Sequence, residues 1–173
     1  RLAPYLSITD FGTGLSPENV EDVYTTYFKS TRSTSDDFTG CLGLGSKSPF
    51  AYTDQFSIVS NWNGRKYSYS AFKNEEGCPS LALLGEAETT DSNGLEIRIP
   101  VKPGDSDRFV DAARRVYTFF KVRPIITGAD ITFKEMNVVT EEPSYKLCNA
   151  GYDGGTINVI MGLVCYNADP SRV

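Results

Sequence analysis

Histidine is absent from this chain of 173 residues, and its absence excludes several kinds of chemistry within the chain. A Ser-His-Asp triad, a Cys-His pair, a histidine metal ligand and a phospho-acceptor histidine all require this residue. Long apolar runs are also lacking, because no stretch of about 18 apolar residues occurs that would span a membrane. Imidazole-dependent catalysis and a membrane span within this sequence are thus excluded.

Cysteine is scarce, and acidic residues outnumber basic ones. The four cysteines show neither Cys-x-x-Cys nor zinc-finger spacing, so we expect reduced, mostly buried thiols in a cytoplasmic protein. The net charge of −5 argues against nucleic acid as the primary partner. No secretory leader precedes the first predicted strand and the chain opens without Met, so we expect a fragment of a longer protein. The cysteines are Cys41, Cys78, Cys148 and Cys165.

The rest of the composition is that of an ordinary globular domain. Hydrophobic residues make up 40% of the chain and charged residues 23%, which excludes disorder, collagen and coiled coil. A chain of this length buries roughly 70% of its unfolded surface. It therefore needs neither disulfides nor a metal to fold.

Hydrophobic periodicity and turn residues predict alternating strands and helices. A β-rich run stops at a glycine-rich turn, and Ser16-Pro17 then predicts an N-capped helix. Asn63-Gly64 between two alternating runs predicts a hairpin, with Trp62 expected in the turn and exposed. We predict an α+β fold with a mainly antiparallel sheet. The predicted strands are 5–9, 55–61, 65–72, 80–84 and 95–101, followed by a strand and loop at 128–143 and a strand at 156–166. Two further helices are predicted. One ends near Tyr52, and the other spans residues 107–122.

The first glycine-rich turn places a carboxylate at a strand end. Asp10 comes directly before Phe11-Gly12-Thr13-Gly14, where two residues can adopt positive φ. A carboxylate in that position can accept hydrogen bonds from an exocyclic amine such as that of adenine, and glycines let a flat ring approach the backbone. Taken alone, these residues are more typical of an ordinary tight turn that leads into a helix cap.

The second glycine-rich segment runs Gly43-Leu44-Gly45-Ser46-Lys47-Ser48 and is predicted to open a helix. Unpaired N–H groups at such a helix start bind phosphate oxygens, and Lys47 would add a positive charge. The segment is not a Walker A loop, because Ser46 stands where that pattern needs glycine. It is not a dinucleotide fingerprint either, because no βαβ pattern surrounds it.

The combination of the two segments resembles the GHKL superfamily of Bergerat-fold ATPases. These include gyrase-type topoisomerases, heat-shock chaperones, histidine kinases and MutL-type repair proteins. The stretch 43–54 is especially similar to the RIIA proteins of tailed phages, as are 27–30 and 37–40, and the chaperone branch has a looser version. The resemblance is dense over residues 8–60 and thinner to about 101.

The resemblance implies a role for individual residues. Asp10 would bind adenine, with Gly12 and Gly14 shaping the pocket and Gly94 lying near the base. Residues 28–42 would form an ATP lid in which Lys29 and Ser30 reach the phosphates. At Leu95 the family often has threonine, so a hydroxyl contact to the base is not expected here. The second glycine box, with its neighbours, would comprise Gly40, Gly43, Leu44, Gly45, Ser46 and Lys47.

The resemblance also implies parts that this chain does not contain. In the family, a helix upstream of the aspartate turn carries a glutamate that activates water and an asparagine that holds Mg²⁺. No residue here can be assigned to either role, so the Mg²⁺ ligand is expected outside this chain. For the same reason, we do not expect this chain to hydrolyse ATP efficiently. We therefore expect residues 1–125 to be a two-layer ATP-binding domain with helices on one face, incomplete at its N-terminus. Residues 126–173 would be its remainder or the start of a following domain.

The implied function is that of a switch. ATP binding and lid closure in an RIIA-like phage protein would change how domains or subunits meet, through a homodimer or a partner protein. The expected location is the host cytoplasm, with membrane association implied by the RIIA resemblance. Two alternatives stay open: a chaperone- or topoisomerase-type ATPase domain, and a degenerate fold that acts through protein contacts alone.

Overall fold

The computed structural model of the chain describes residues 3–26, 45–120, 122–133, 137–142, 146–149, 157–161 and 164–168. The chain divides into two units, Arg1–Pro103 (unit 1) and Gly104–Val173 (unit 2). In the part that the structure describes, neither α-helix reaches the length and apolarity that crossing a bilayer demands.

Unit 1 is built on a five-stranded antiparallel sheet. The strand order across the sheet is β1-β5-β2-β3-β4. The last strand in sequence, β5, therefore lies between β1 and β2, where it pairs Leu95 with Asp10 and Gly94 with Asn61. The strands are β1 (Tyr5–Asp10), β2 (Gln55–Trp62), β3 (Arg65–Lys73), β4 (Pro79–Glu88) and β5 (Gly94–Pro100).

The hairpin predicted from Asn63-Gly64 is confirmed. Asn63 has φ 51° and Gly64 has φ 75°, and two positive φ values in a two-residue loop match the right-handed twist of the flanking strands. Trp62 pairs with Arg65 as the last residue of β2. The expectation that Trp62 is exposed in the turn is wrong, because its side chain packs partly buried against the core.

Two short helices cover one face of this sheet. Helix α1 (Pro17–Thr25) begins as predicted, with the Ser16 hydroxyl accepting a hydrogen bond from the Asn19 amide at 3.3 Å. The second predicted helix is a 3₁₀ helix, Gly45–Ala51, with Pro49 inside it. A proline has no N–H to donate to the carbonyl four residues earlier, which disfavours the α form here.

The core lies between the helices and the sheet. Strand alternation puts Phe56 and Ile58 of β2 on the inner face, where α1 contributes Val20 and the 3₁₀ helix contributes Phe50. The rings of Phe50 and Phe56 pack edge to face with centroids 4.9 Å apart. The expected α+β class, with a mainly antiparallel sheet and helices on one face, is confirmed for unit 1. The other buried core residues are Tyr24, Tyr67, Tyr69, Ala71 and Ile99.

The described residues of unit 2 form one helix and two antiparallel strand pairs. Helix α2 (Ser106–Tyr117) ends earlier than predicted. The single strand predicted at 156–166 is instead a pair of antiparallel strands, in which Ile157 pairs with Ala168 and Met161 with Val164. The four strands are β6 (Asn137–Glu141), β7 (Lys146–Asn149), β8 (Ile157–Met161) and β9 (Val164–Ala168).

One further expectation about unit 1 needs correction. Strand β4 extends to Glu88, well past the predicted end at residue 84, because a bulge lets it stay paired with β3: Tyr69 faces Leu83 and Ser68 faces Gly85. Cys78 is exposed, and the side chains of the other three cysteines lie outside the described residues, so mostly buried thiols stay a prediction. Cys78 precedes β4 at a turn in which its amide donates to the side chain of Asn74 at 2.9 Å.

Candidate functional site

The Asp10 carboxylate lies exposed at the end of β1, on the same face of the strand as Leu6 and Ile8. Its Oδ1 accepts a hydrogen bond from the Gly12 amide at 2.9 Å. Among the described residues no hydrogen bond reaches the other oxygen, Oδ2. The turn thus orients the carboxylate through one oxygen and leaves the second to accept a bond from a ligand.

Gly14 lets this turn lie directly on β2. Its φ is +71°, and a Cβ at this position would lie 2.1 Å from the Asn61 carbonyl oxygen. Gly94 is similarly restricted, because a Cβ there would lie 2.3 Å from the Asp10 carbonyl oxygen. The backbones of the turn, β2 and β5 therefore pack at distances that only glycine permits.

Ser60 anchors the same turn, and the sequence interpretation missed it. Its side chain is 0% exposed. The hydroxyl accepts a hydrogen bond from the Leu15 amide at 2.9 Å and donates one to the Leu15 carbonyl at 2.8 Å. The sequence did contain a signal for this role: Ser60 continues the inward-facing series of Phe56 and Ile58. A buried hydroxyl at that position needs hydrogen-bond partners.

Tyr24 is a buried core residue that lies within range of the charge of Asp10. Its side chain is 2% exposed, and burial, with the negative charge of Asp10 adding to it, raises the pKa of the Tyr24 hydroxyl. The tyrosine therefore stays neutral, and Asp10 gives the site its exposed, acidic side.

The residues after the second glycine segment contact the end of α1. The Ser46 hydroxyl donates to the Val23 carbonyl at 2.9 Å, and the Lys47 ammonium donates to the same oxygen at 2.5 Å. Lys47 is 5% exposed, and this burial lowers its pKa. Gly45 is the first residue of the 3₁₀ helix.

The predicted site residues fall into three groups. The first glycine turn, its aspartate and the start of β5 are brought together, whereas Gly45, Ser46 and Lys47 lie at the other end of α1. The third group lies outside the described residues. It comprises Lys29, Ser30, Gly40, Gly43 and Leu44.

An open groove of about 670 Å³ lies at the β2–β3 turn and contains none of the predicted site residues. Its Arg65 is already paired with Glu86 at 2.5 Å. Within the described ranges, no three carboxylate or thiol side chains are grouped as a metal site would need. The groove is lined by Asn63, Gly64, Arg65, Glu88, Thr89 and Thr90.

Comparison with known proteins finds likeness in structure only. No protein-family model and no curated protein sequence matches the chain. Two solved structures that match are the ATPase region of Saccharomyces cerevisiae topoisomerase II and the same region bound to ICRF-187 (dexrazoxane). Each is 19% identical with a TM-score of 0.48, over 66% of this chain and 35% of the other. This chain therefore spans about a third of the length of those structures.

Proposed function

We propose that the chain is part of a GHKL-type ATP-binding domain in which Asp10 accepts a hydrogen bond from the amino group of adenine. The observation that carries the proposal is the exposed carboxylate, held at Oδ1 by the Gly12 amide and with no hydrogen bond to Oδ2 from any residue that the structure describes. An ionised carboxylate is an acceptor only, so it selects a ligand that presents a donor. The 6-amino group of adenine is such a donor.

The surroundings of Asp10 suit a flat, largely apolar ring. The glycine turn that follows the carboxylate carries no side chain at Gly12 or Gly14 that would hold a ring away. The phosphates would extend toward the second glycine segment, for which the support is its sequence pattern and its resemblance to the GHKL phosphate box.

The proposal is for binding and not for hydrolysis. The geometry at Asp10 concerns recognition of the base, and within the described residues no three carboxylate or thiol side chains form a metal site of their own. When bound, Mg²⁺ would neutralise phosphate charge. ATP would then act as a conformational ligand that changes how this domain meets its partner, in a cytoplasmic protein similar to the phage RIIA proteins.

Asp10→Asn tests the proposal, because it keeps an oxygen for the Gly12 amide but replaces the free acceptor by a donor. We expect the intact protein to lose ADP affinity by roughly tenfold to a hundredfold, measured by calorimetry. Asp91→Asn, in the exposed loop before β5, is the matched control and should bind ADP as the wild type does.

Inosine diphosphate sharpens the result, because its base has an oxygen in place of the 6-amino group. The wild type should prefer ADP, and Asp10→Asn should lose that preference. If ADP affinity is the same in the wild type and in Asp10→Asn, the assignment of Asp10 to adenine is wrong.

A further inference from the structure

Helix α1 follows the aspartate turn, ends against Ser46 and Lys47, and is held at both ends. Its nine residues make it about 13 Å long. At its start, Ser60 fixes Leu15 by two hydrogen bonds and Ser16 caps the first turn. At its end, the Val23 carbonyl accepts from both residues that follow Gly45.

The contact at the end of α1 is defined here as the Val23 clamp, formed by Ser46 and Lys47 on the Val23 carbonyl oxygen. Carbonyls in the last turn of a helix lack partners within the helix and carry its negative partial charge, which a lysine ammonium stabilises. Lys47 is 95% buried, and its ammonium reaches that oxygen at 2.5 Å. At least one of the three donors of the ammonium is therefore directed at the protein's own backbone.

We propose that Lys47 is a positioning residue for the nucleotide site: through the Val23 clamp it fixes the first turn of the 3₁₀ helix against the end of α1. This inference rests on the proposed function. It assigns to Lys47 an indirect role, in which the spacing between the aspartate turn and the start of the 3₁₀ helix depends on the clamp, and the ammonium makes no phosphate contact.

The test compares Lys47→Met with Ser46→Ala, each alone and together. Lys47→Met removes the charge and the donor but keeps an apolar chain, and Ser46→Ala is a milder change at the same carbonyl. Lys66→Met is the matched control, because Lys66 lies on β3 next to the inward-facing Tyr67 and therefore on the opposite face of the sheet. Hydrogen exchange of residues 17–26 is measured without nucleotide, and ADP affinity is measured at low and high salt.

We expect faster exchange at the last turn of α1 in Lys47→Met, and an ADP affinity lower by about three- to tenfold. The fold-loss in ADP affinity should be the same at both salt concentrations. Loss of a direct contact between the ammonium and phosphate would instead cost more affinity at low salt. Ser46→Ala should act in the same direction with a smaller effect, and the double variant should be non-additive because both donors share one acceptor. Lys66→Met should change neither readout.

Three results would refute either the inference about Lys47 or the proposed nucleotide binding on which it rests. Unchanged exchange with an ADP loss that grows at low salt means that Lys47 contacts phosphate directly. Faster exchange with unchanged ADP affinity means that the clamp only stabilises the fold. Both overturn the inference while leaving the proposed function in place, whereas a wild-type protein that binds no ADP refutes the proposed function itself.

Discussion

Replacing Gly14 by alanine should lower the free energy of unfolding for two reasons that the structure shows. The first is conformational: φ is +71°, which costs an L-residue about 1–2 kcal/mol. The second is steric, because the new Cβ would lie 2.1 Å from the Asn61 carbonyl oxygen. That oxygen belongs to the backbone of β2, which is paired on both sides with Gly94 and Lys66.

Gly77 provides the matched control for the conformational cost alone. Its φ is +77°, and a Cβ there would meet nothing within 4 Å among the described residues. We expect Gly77→Ala to lower the free energy of unfolding by about 1 kcal/mol. Gly14→Ala should lower it by about 3 kcal/mol or more, since overpacking against backbone adds about 1–3 kcal/mol.

The assay is urea unfolding followed by the fluorescence of Trp62, the chain's single tryptophan, which lies in unit 1 against the core. The Gly14 variant should lower the urea midpoint by roughly 1 M or more. The reasoning about close packing at Asn61 is refuted if the two alanine variants differ by less than about 0.5 kcal/mol.

Two further predictions concern the ends of α1. Ser60→Ala removes both hydrogen bonds to Leu15 and should lower the free energy of unfolding by about 1–3 kcal/mol in the same fluorescence assay, because the Leu15 amide and carbonyl lose a buried partner. The pKa of Lys47 is lowered by burial from its ordinary value of 10.5, so the unfolded chain binds more protons than the native one between the lowered pKa and 10.5. The stability of the wild type relative to Lys47→Met should therefore rise with pH as the pH approaches 10.5 from below.

Each of these has its own contradicting result. A Ser60→Ala protein as stable as the wild type would mean that water replaces the hydroxyl at Leu15. For Lys47, a difference from the Met variant that stays flat or falls with rising pH would show that burial does not disfavour its charge. The contribution of the raised pKa of Tyr24 to the pH dependence of stability cancels in this comparison, because both proteins contain that tyrosine.

Local signals predicted the parts of the fold that depend on a few neighbouring residues. Ser16-Pro17 marked the start of α1 and Asn63-Gly64 the hairpin, because capping and positive φ are properties of adjacent positions. The end of β4 was misjudged because its bulge depends on pairing with β3. Trp62 was assigned to the turn because its place on the inner face follows only from the register with Arg65.

The candidate site divides in the same way. Asp10 and its glycines are recognisable in sequence, since a carboxylate and φ-permissive residues follow one another at a strand end. Ser60 is not recognisable in this way, because its partner Leu15 is distant in the chain. A serine in an apolar strand looks like a break in the hydrophobic pattern. For Lys47 the sequence predicts a free cation, and only tertiary packing shows that its ammonium lies buried against Val23.

The position of β5 between β1 and β2 has a consequence for the order of folding. Strands β2, β3 and β4 are joined by short connections and can pair as soon as they leave the ribosome. Among the described strands, β1 pairs with β5 alone, as in Tyr5 with Pro100, and so must wait for the whole intervening chain and a large loop closure. Because Asp10 is aligned by that pairing, the candidate site at the end of β1 assembles only after β5 has been synthesised.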